Sequence, residues 1–305
     1  LQQARKEALR SDPSAALGRK LVDLGKPPLQ PRSQQPGSIG PTQIGFGRDV
    51  TALKSSADTN YQLNWKPSNG GLVGSLAIQS QGATGIRIGI KVDAIPDDAE
   101  LRFFTKDASQ ITLVQGRTIS ETIKRNLDAG DPEETARMYW SPVLDGEVGG
   151  VEVYLPPGVS TDALRISFPQ ISHLFELRSQ ALTRQRDAAS GACELDAMCY
   201  SSWFATSNAV GQMVFVKQGG SYVCTGTLLN NAAGDRTPYF LTANHCISSQ
   251  TTASSLAINW FYYSSACNSG YLNSTSVYGS GGATLLYNST VSDASFLRLN
   301  FTPPN

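Results

Sequence analysis

Tyr239-Phe240-Leu241-Thr242-Ala243-Asn244-His245-Cys246 decides how this chain is read. An apolar, strand-like run ends on an imidazole, and a cysteine stands directly behind it. Cys224-Thr225-Gly226-Thr227-Leu228-Leu229 precedes this stretch, and Ser292-Asp293-Ala294-Ser295-Phe296-Leu297 follows it. Together they place a histidine and then an aspartate at the ends of strand-like runs. That is the order His, Asp, Ser in which one arrangement of the Ser–His–Asp triad runs along its chain. The third member does not follow: no serine between Asp293 and Asn305 has a Gly-rich nucleophile setting.

Working outward, composition bounds the rest. The 305 residues suffice for two domains, each with its own core. Lys and Arg (25) balance Asp and Glu (25), so no general electrostatic attraction to nucleic acid or an anionic membrane is expected. No apolar run approaches the length of a transmembrane segment, and a soluble protein is expected. The N-terminal Leu1-Gln2-Gln3-Ala4-Arg5-Lys6 lacks a signal peptide's apolar core, consistent with a signal already removed. All five cysteines, Cys193, Cys199, Cys224, Cys246 and Cys267, lie in the last part of the chain. Their spacing suits disulfides in a secreted domain better than a metal site, because the step from Cys193 to Cys199 is wide for zinc and only one histidine lies nearby. An odd number leaves one without a partner.

Charge divides the chain. After Cys193 the only charged side chains are Glu194, Asp196, Lys217, Asp235, Arg236, Asp293 and Arg298, and the segment is rich in Ser, Thr, Asn, Gly and Tyr. Residues 1–43 read as a helical arm, with Leu9, Leu17, Leu21 and Leu24 near helical spacing, followed by a Pro-rich linker. Residues 44–176 read as a β-rich, sandwich-like module with strands expected over 72–78, 86–92, 101–104, 111–114, 151–155 and 164–168. A helix is expected over 118–127, capped by Thr118 or Ser120. His173, without a cysteine or nucleophile motif beside it, is expected to be structural. Residues 177–191 form a polar linker whose Arg184 and Arg186 mark a candidate processing site. Residues 192–305 carry one antiparallel barrel's worth of strands, over 213–217, 222–229, 239–242, 256–263, 284–287 and 294–299, with a hairpin turn at Gly219-Gly220.

The chemistry is that of an imidazole taking a hydroxyl proton while a carboxylate orients it and stabilises the imidazolium. Each motif alone is weak, since a lone histidine in a β protein is usually structural. Their joint order and spacing make the signal specific.

On these residues the segment 190–305 resembles bacterial lysyl endopeptidases, a secreted branch of the chymotrypsin-like serine proteases. The matching stretches are Ser190-Gly191-Ala192-Cys193-Glu194-Leu195-Asp196-Ala197-Met198-Cys199, Cys224 to Asn231, Tyr239 to Cys246, Ser265-Ala266-Cys267 and Ser292-Asp293. The resemblance implies a mainly β protein, with a helical arm and a β-sandwich-like pro-module ahead of the first β-barrel of a chymotrypsin-like protease. It implies His245 as general base and acid and Asp293 as its orienter. It pairs Cys224 with Cys246 and Cys199 with Cys267, and leaves Cys193 to a later cysteine. It implies protein or peptide substrates, no metal and no cofactor. The Gly-rich serine loop, the oxyanion hole, the P1 pocket and the C-terminal barrel are absent from these residues. The chain is therefore expected to be a precursor's N-terminal part, inactive alone, whose partner is that second barrel. The competing expectation is a non-enzymatic secreted module.

Overall fold

The computed structural model describes residues 8–11, 21–28, 40–175 and 195–304. Arg184, Arg186 and Cys193 lie outside the described residues. The chain divides into two compact units, one formed by residues 1–30 and 46–175, the other by residues 31–45 and 176–305. The protein is mainly β. No helix among the described residues is long and apolar enough to cross a membrane.

The strands begin with β1 (Leu21–Asp23), β2 (Thr42–Gln43), β3 (Gly45–Asp49), β4 (Lys66–Ser68), β5 (Gly71–Gln79) and β6 (Gly85–Ala94). They continue with β7 (Glu100–Thr105), β8 (Ile111–Gln115), β9 (Met138–Trp140), β10 (Leu144–Asp145), β11 (Val148–Leu155) and β12 (Arg165–Leu174). In the first unit one sheet has the order β1-β5-β11-β7-β8, with β4 also on β5. The other has the order β10-β6-β12-β3, with β9 also on β6. Ile86, Ile88, Ile90 and Val92 recur at every second position of β6, so they share one face. They enter the same core as Leu76, Leu101, Phe103, Val151 and Val153 from the first sheet, and as Ile166 and Phe168 from their own. Two sheets with one core between them make the sandwich that the alternating runs predict.

Two local expectations need correction, and one helix was not foreseen. The arm's periodicity over 1–25 predicts a helix, but Leu21–Asp23 is a strand parallel to β5, with Leu21 opposite Ala77. The open edge of β5 wins over a weak period that Pro13 already interrupts. The expected helix is α2 (Gly116–Asp128), capped at Gln115 without a side-chain bond. Ser120 instead donates to the Arg117 carbonyl and to Asp97. Ahead of it stands α1 (Ser56–Leu63), which the sequence reading missed. Ser55 Oγ accepts the Asp58 N–H and donates to its carboxylate, while Asn64 closes the helix in the left-handed region. Only Thr59 and Leu63 of α1 are buried, so hydrophobic period could not reveal it, although Ser55-x-x-Asp58 is a start signal.

The second unit contains β13 (Val210–Lys217), β14 (Gly220–Leu229), β15 (Tyr239–Thr242), β16 (Ala257–Trp260), β17 (Val277–Ser280), β18 (Ala283–Ser289) and β19 (Ala294–Leu299). They form one sheet, β17-β16-β13-β14-β15-β19-β18, and β2 adds to β14. Trp260 of β16 shares a core with Leu297 and Leu299 of β19, although three strands separate them in the sheet. The sheet therefore curls around that core. The first hairpin turns on Gln218 and Gly219, both at positive φ (51° and 78°), as a tight two-residue turn requires. Gly220 already pairs with Lys217, one residue off the expected turn. The run expected over 256–263 ends at Trp260, because Phe261 swings to φ 54°.

Candidate active site

His245 sits in a tight turn just past β15. The Ala243 carbonyl accepts the N–H groups of both Cys246 and Ile247, each at 3.2 Å. Four further ties hold this turn. Thr242 Oγ1 donates to the Thr225 carbonyl of β14 at 2.9 Å. Cys246 is disulfide-bonded to Cys224 on the same strand. The fully buried Ser295 donates to the Ile247 carbonyl at 2.6 Å, and Asn288 donates to the Ser248 carbonyl at 2.9 Å. Ile247 is itself buried in the core.

Asp293 reaches the turn from the other side. β15 and β19 are antiparallel with Thr242 opposite Ser295. Two further steps along that register bring Asp293 level with Asn244, beside His245. Asp293 closes the turn between β18 and β19 at φ 46°, a left-handed conformation that aspartate tolerates better than most side chains. Its Oδ1 accepts the His245 backbone N–H at 2.9 Å, and its Oδ2 lies 2.6 Å from Nδ1 of the ring. The carboxyl is held below its ordinary range first by that backbone N–H and then by the ring. A burial-driven arrangement would differ, since half of the Asp293 side chain is exposed (50%). With Nδ1–H directed at an anionic carboxylate, Nε2 is left as the basic nitrogen.

The structure thus brings together His245, Asp293, Cys224 and Cys246. Cys199 and Cys267 are joined elsewhere in the unit. There Asp196 caps the turn at Met198 and accepts the Asn268 N–H at 2.8 Å, so both segments beside that disulfide meet on one carboxylate. Sequence reading missed Thr242, Asn288 and Ser295. No local signal marks Ser295: Asp293 lies in the turn before β19, so strand alternation does not carry from one to the other. Among the described residues, one group of three metal-type ligands lies within 4.8 Å, namely Cys224, His245 and Cys246. Its two sulfurs are bonded to each other, so neither offers a thiolate.

A serine–histidine contact exists in the first unit, where Ser80 Oγ lies 2.7 Å from His173 Nδ1. Both residues are buried, Arg48 donates to the same Ser80 oxygen at 2.6 Å, and the ring stacks on Phe46. Burial, and then the nearby Arg48 charge, push His173 down to about 4. A neutral ring in a closed network is a structural element without access for a substrate.

The comparisons with known proteins agree with this division. The lysyl endopeptidase N-terminal domain family matches residues 19–175, and the lysyl endopeptidase C-terminal domain family matches residues 188–305. The chain is 31% identical to a lysyl endopeptidase of Pseudomonas aeruginosa over 314 aligned positions, covering 96% of this chain and 64% of that protein. It thus spans just under two thirds of that relative's length. It is also 32% identical over 110 positions to a secreted RxLR effector protein of Plasmopara viticola, covering 34% of this chain and 26% of that one. With both family domains matched in order along the chain, it belongs to the lysyl endopeptidase family.

Proposed function

We propose that this chain is the N-terminal part of the precursor of an extracellular serine endopeptidase, with His245 as general base and acid and Asp293 as its orienter. The observation that carries the reading is the two-point hold of Asp293 on His245. One bond sets where the imidazole stands, and the other sets which nitrogen is basic. In the reaction, Nε2 takes the proton of a serine hydroxyl as that oxygen attacks the peptide carbonyl. It then gives the proton to the leaving amine, and water releases the acyl group by the same route. The serine, the oxyanion donors and the P1 pocket belong, on this reading, to sequence outside these 305 residues. The chain alone is inactive, and Cys193 pairs with a cysteine in that outside sequence. The 64% coverage of the Pseudomonas relative supports this part of the proposal. Two disulfides support an extracellular setting, and Arg184 and Arg186 are the proposed region of processing.

The test uses the full product of the reading frame that contains this chain. His245→Ala should lower kcat on a peptide substrate by about 10³-fold or more, with little change in KM. Undiminished turnover in that variant overturns the assignment of His245, and no turnover by the unsubstituted full product favours a non-enzymatic module.

A further inference from the structure

β14 is covered unequally on its two sides. On one side β13 pairs with it from Gly220 to Thr227. On the other, β15 reaches only Thr227 to Leu229. Beyond β15 the backbone would present an open row of N–H and C=O groups, to which any extended chain can pair. β2 occupies that place. Gln43 lies opposite Tyr222 and Thr42 opposite Val223, and the Ile44 N–H donates to the Ser221 carbonyl at 2.9 Å. These residues belong to the same compact unit as β14, despite their distance from it in sequence. Ile44 is buried, which anchors the added strand. Gly220 leaves room for it, because a Cβ there would stand 3.2 Å from the Gly45 carbonyl. The covered edge runs straight into Cys224, whose disulfide partner is the neighbour of His245.

We propose that the Ser221–Val223 edge is a docking strand for extended peptide in the proteolytic site, and that Thr42–Ile44 is its cis occupant, a plug that must leave before a substrate can pair there. The inference rests on the catalytic reading given above. What the edge recognises is backbone: alternating N–H and C=O groups accept an extended peptide of almost any sequence, as in other strand-addition sites. A free peptide competes poorly with the plug, because a tethered segment acts at an effective concentration on the order of millimolar. Losing the plug, and not merely meeting a substrate, is then the step that opens the edge.

The register supplies the test. With Ile44 and Ser221 as one hydrogen-bonded pair, Thr42 and Val223 are the next such pair. Thr42→Pro removes a ladder donor, whereas Thr42→Ala keeps it. Hydrogen exchange on the full chain should show the amides of Ser221 and Val223 exchanging at least about tenfold faster in Thr42→Pro and unchanged in Thr42→Ala, with Tyr222, which faces β13, and β15 and β19 unaffected in both. A fluorescent peptide with the sequence of residues 39–46 should bind Thr42→Pro saturably and leave the wild-type chain unbound. Unchanged exchange at Ser221 and Val223 in Thr42→Pro overturns the plug, and faster exchange without peptide binding overturns the docking edge. If Thr42→Pro also loosens β15 and β19, Ile44→Ala decides on the same two readouts, since it keeps every donor and removes the buried anchor. Neither readout involves turnover, so this inference and the assignment of His245 fail separately.

Discussion

Asp293 illustrates how one side chain can set both the position and the electronic state of another. A single bond to the ring would leave the turn free to shift, and the second bond, to the backbone of His245, removes that freedom. The two can be separated. His245→Ala deletes the ring bond and keeps the backbone N–H, which exerts the larger pull on the carboxyl. Followed by NMR titration, Asp293 in that variant should move part of the way back toward the ordinary aspartate range while staying below it. A full return would mean that the ring, not the backbone, holds the charge. Because the folded carboxyl is depressed, its contribution to stability is present above the unfolded value near 3.8 and is lost as pH falls through the lowered folded one. Glu152 is the counterpart in the first unit. Fully buried on β11, it accepts the Arg10 and Ser11 N–H groups at 3.0 and 2.7 Å and the Ser11 hydroxyl at 2.5 Å, with Arg102 3.8 Å away. Arg10 also pairs with Glu100 at 2.9 Å and lies over the Tyr154 ring. Glu152→Ala should cost about 3 kcal/mol in a denaturant titration, because it strands buried donors and a guanidinium.

At the scale of elements, the site depends on how closely β14 and β15 approach. A Cβ at Gly226 would come 2.2 Å from the Phe240 ring and 2.8 Å from the Leu241 carbonyl. Phe240 is fully buried edge-on against Trp260, so it has nowhere to move. Gly226→Val should therefore destabilise the second unit by about 3 kcal/mol or more, read as a shift in its unfolding midpoint. An unchanged midpoint would mean that the two strands can separate without cost. The same strand pair carries the Cys224–Cys246 bridge, which closes a chain segment of 22 residues. Replacing both cysteines by alanine should cost about 3 kcal/mol in the chain-entropy account. The β13–β14 hairpin was legible because the runs Val214-Phe215-Val216 and Tyr222-Val223 on either side of a glycine turn are local patterns. The Gln218-Gly219 turn shows the limit of that reading: which residues take positive φ follows from the register of β13 on β14, not from counting glycines.

On the scale of the whole chain, the two units differ in what holds their networks together, and pH should separate them. In the first unit Arg48 donates to Ser80 and to the Leu24 and Gly25 carbonyls, joining β3 to the end of β1 beside His173. His173 is pushed from 6.5 down to about 4, so the unfolded chain binds its proton more readily than the folded one. Stability tied to this group is complete above pH 6.5 and declines as pH falls toward 4, by up to about 3 kcal/mol. His173→Phe should remove most of that slope from the first unit's unfolding between these pH values. A slope unchanged by the substitution would place the acid sensitivity elsewhere.

By itself the sequence determined the strand runs, the order of His245 and Asp293, and the family's cysteine pattern, because period-two alternation and chain order are properties of neighbouring residues. It did not disclose that Leu21–Asp23 and Thr42–Gln43 are strands, that Glu152 is buried among donors from Arg10 and Ser11, or that Ser295 and Asn288 support the histidine turn. Short polar segments have no period of their own. Their conformation is set by the edge or the carboxylate they meet, and those partners lie far away along the chain. The tertiary structure alone decided that Thr42–Gln43 lies on the strand that a disulfide ties to the histidine turn. The physical reason is the unequal cover on β14: β15 stops at Thr227, and the backbone left beyond it must find a partner.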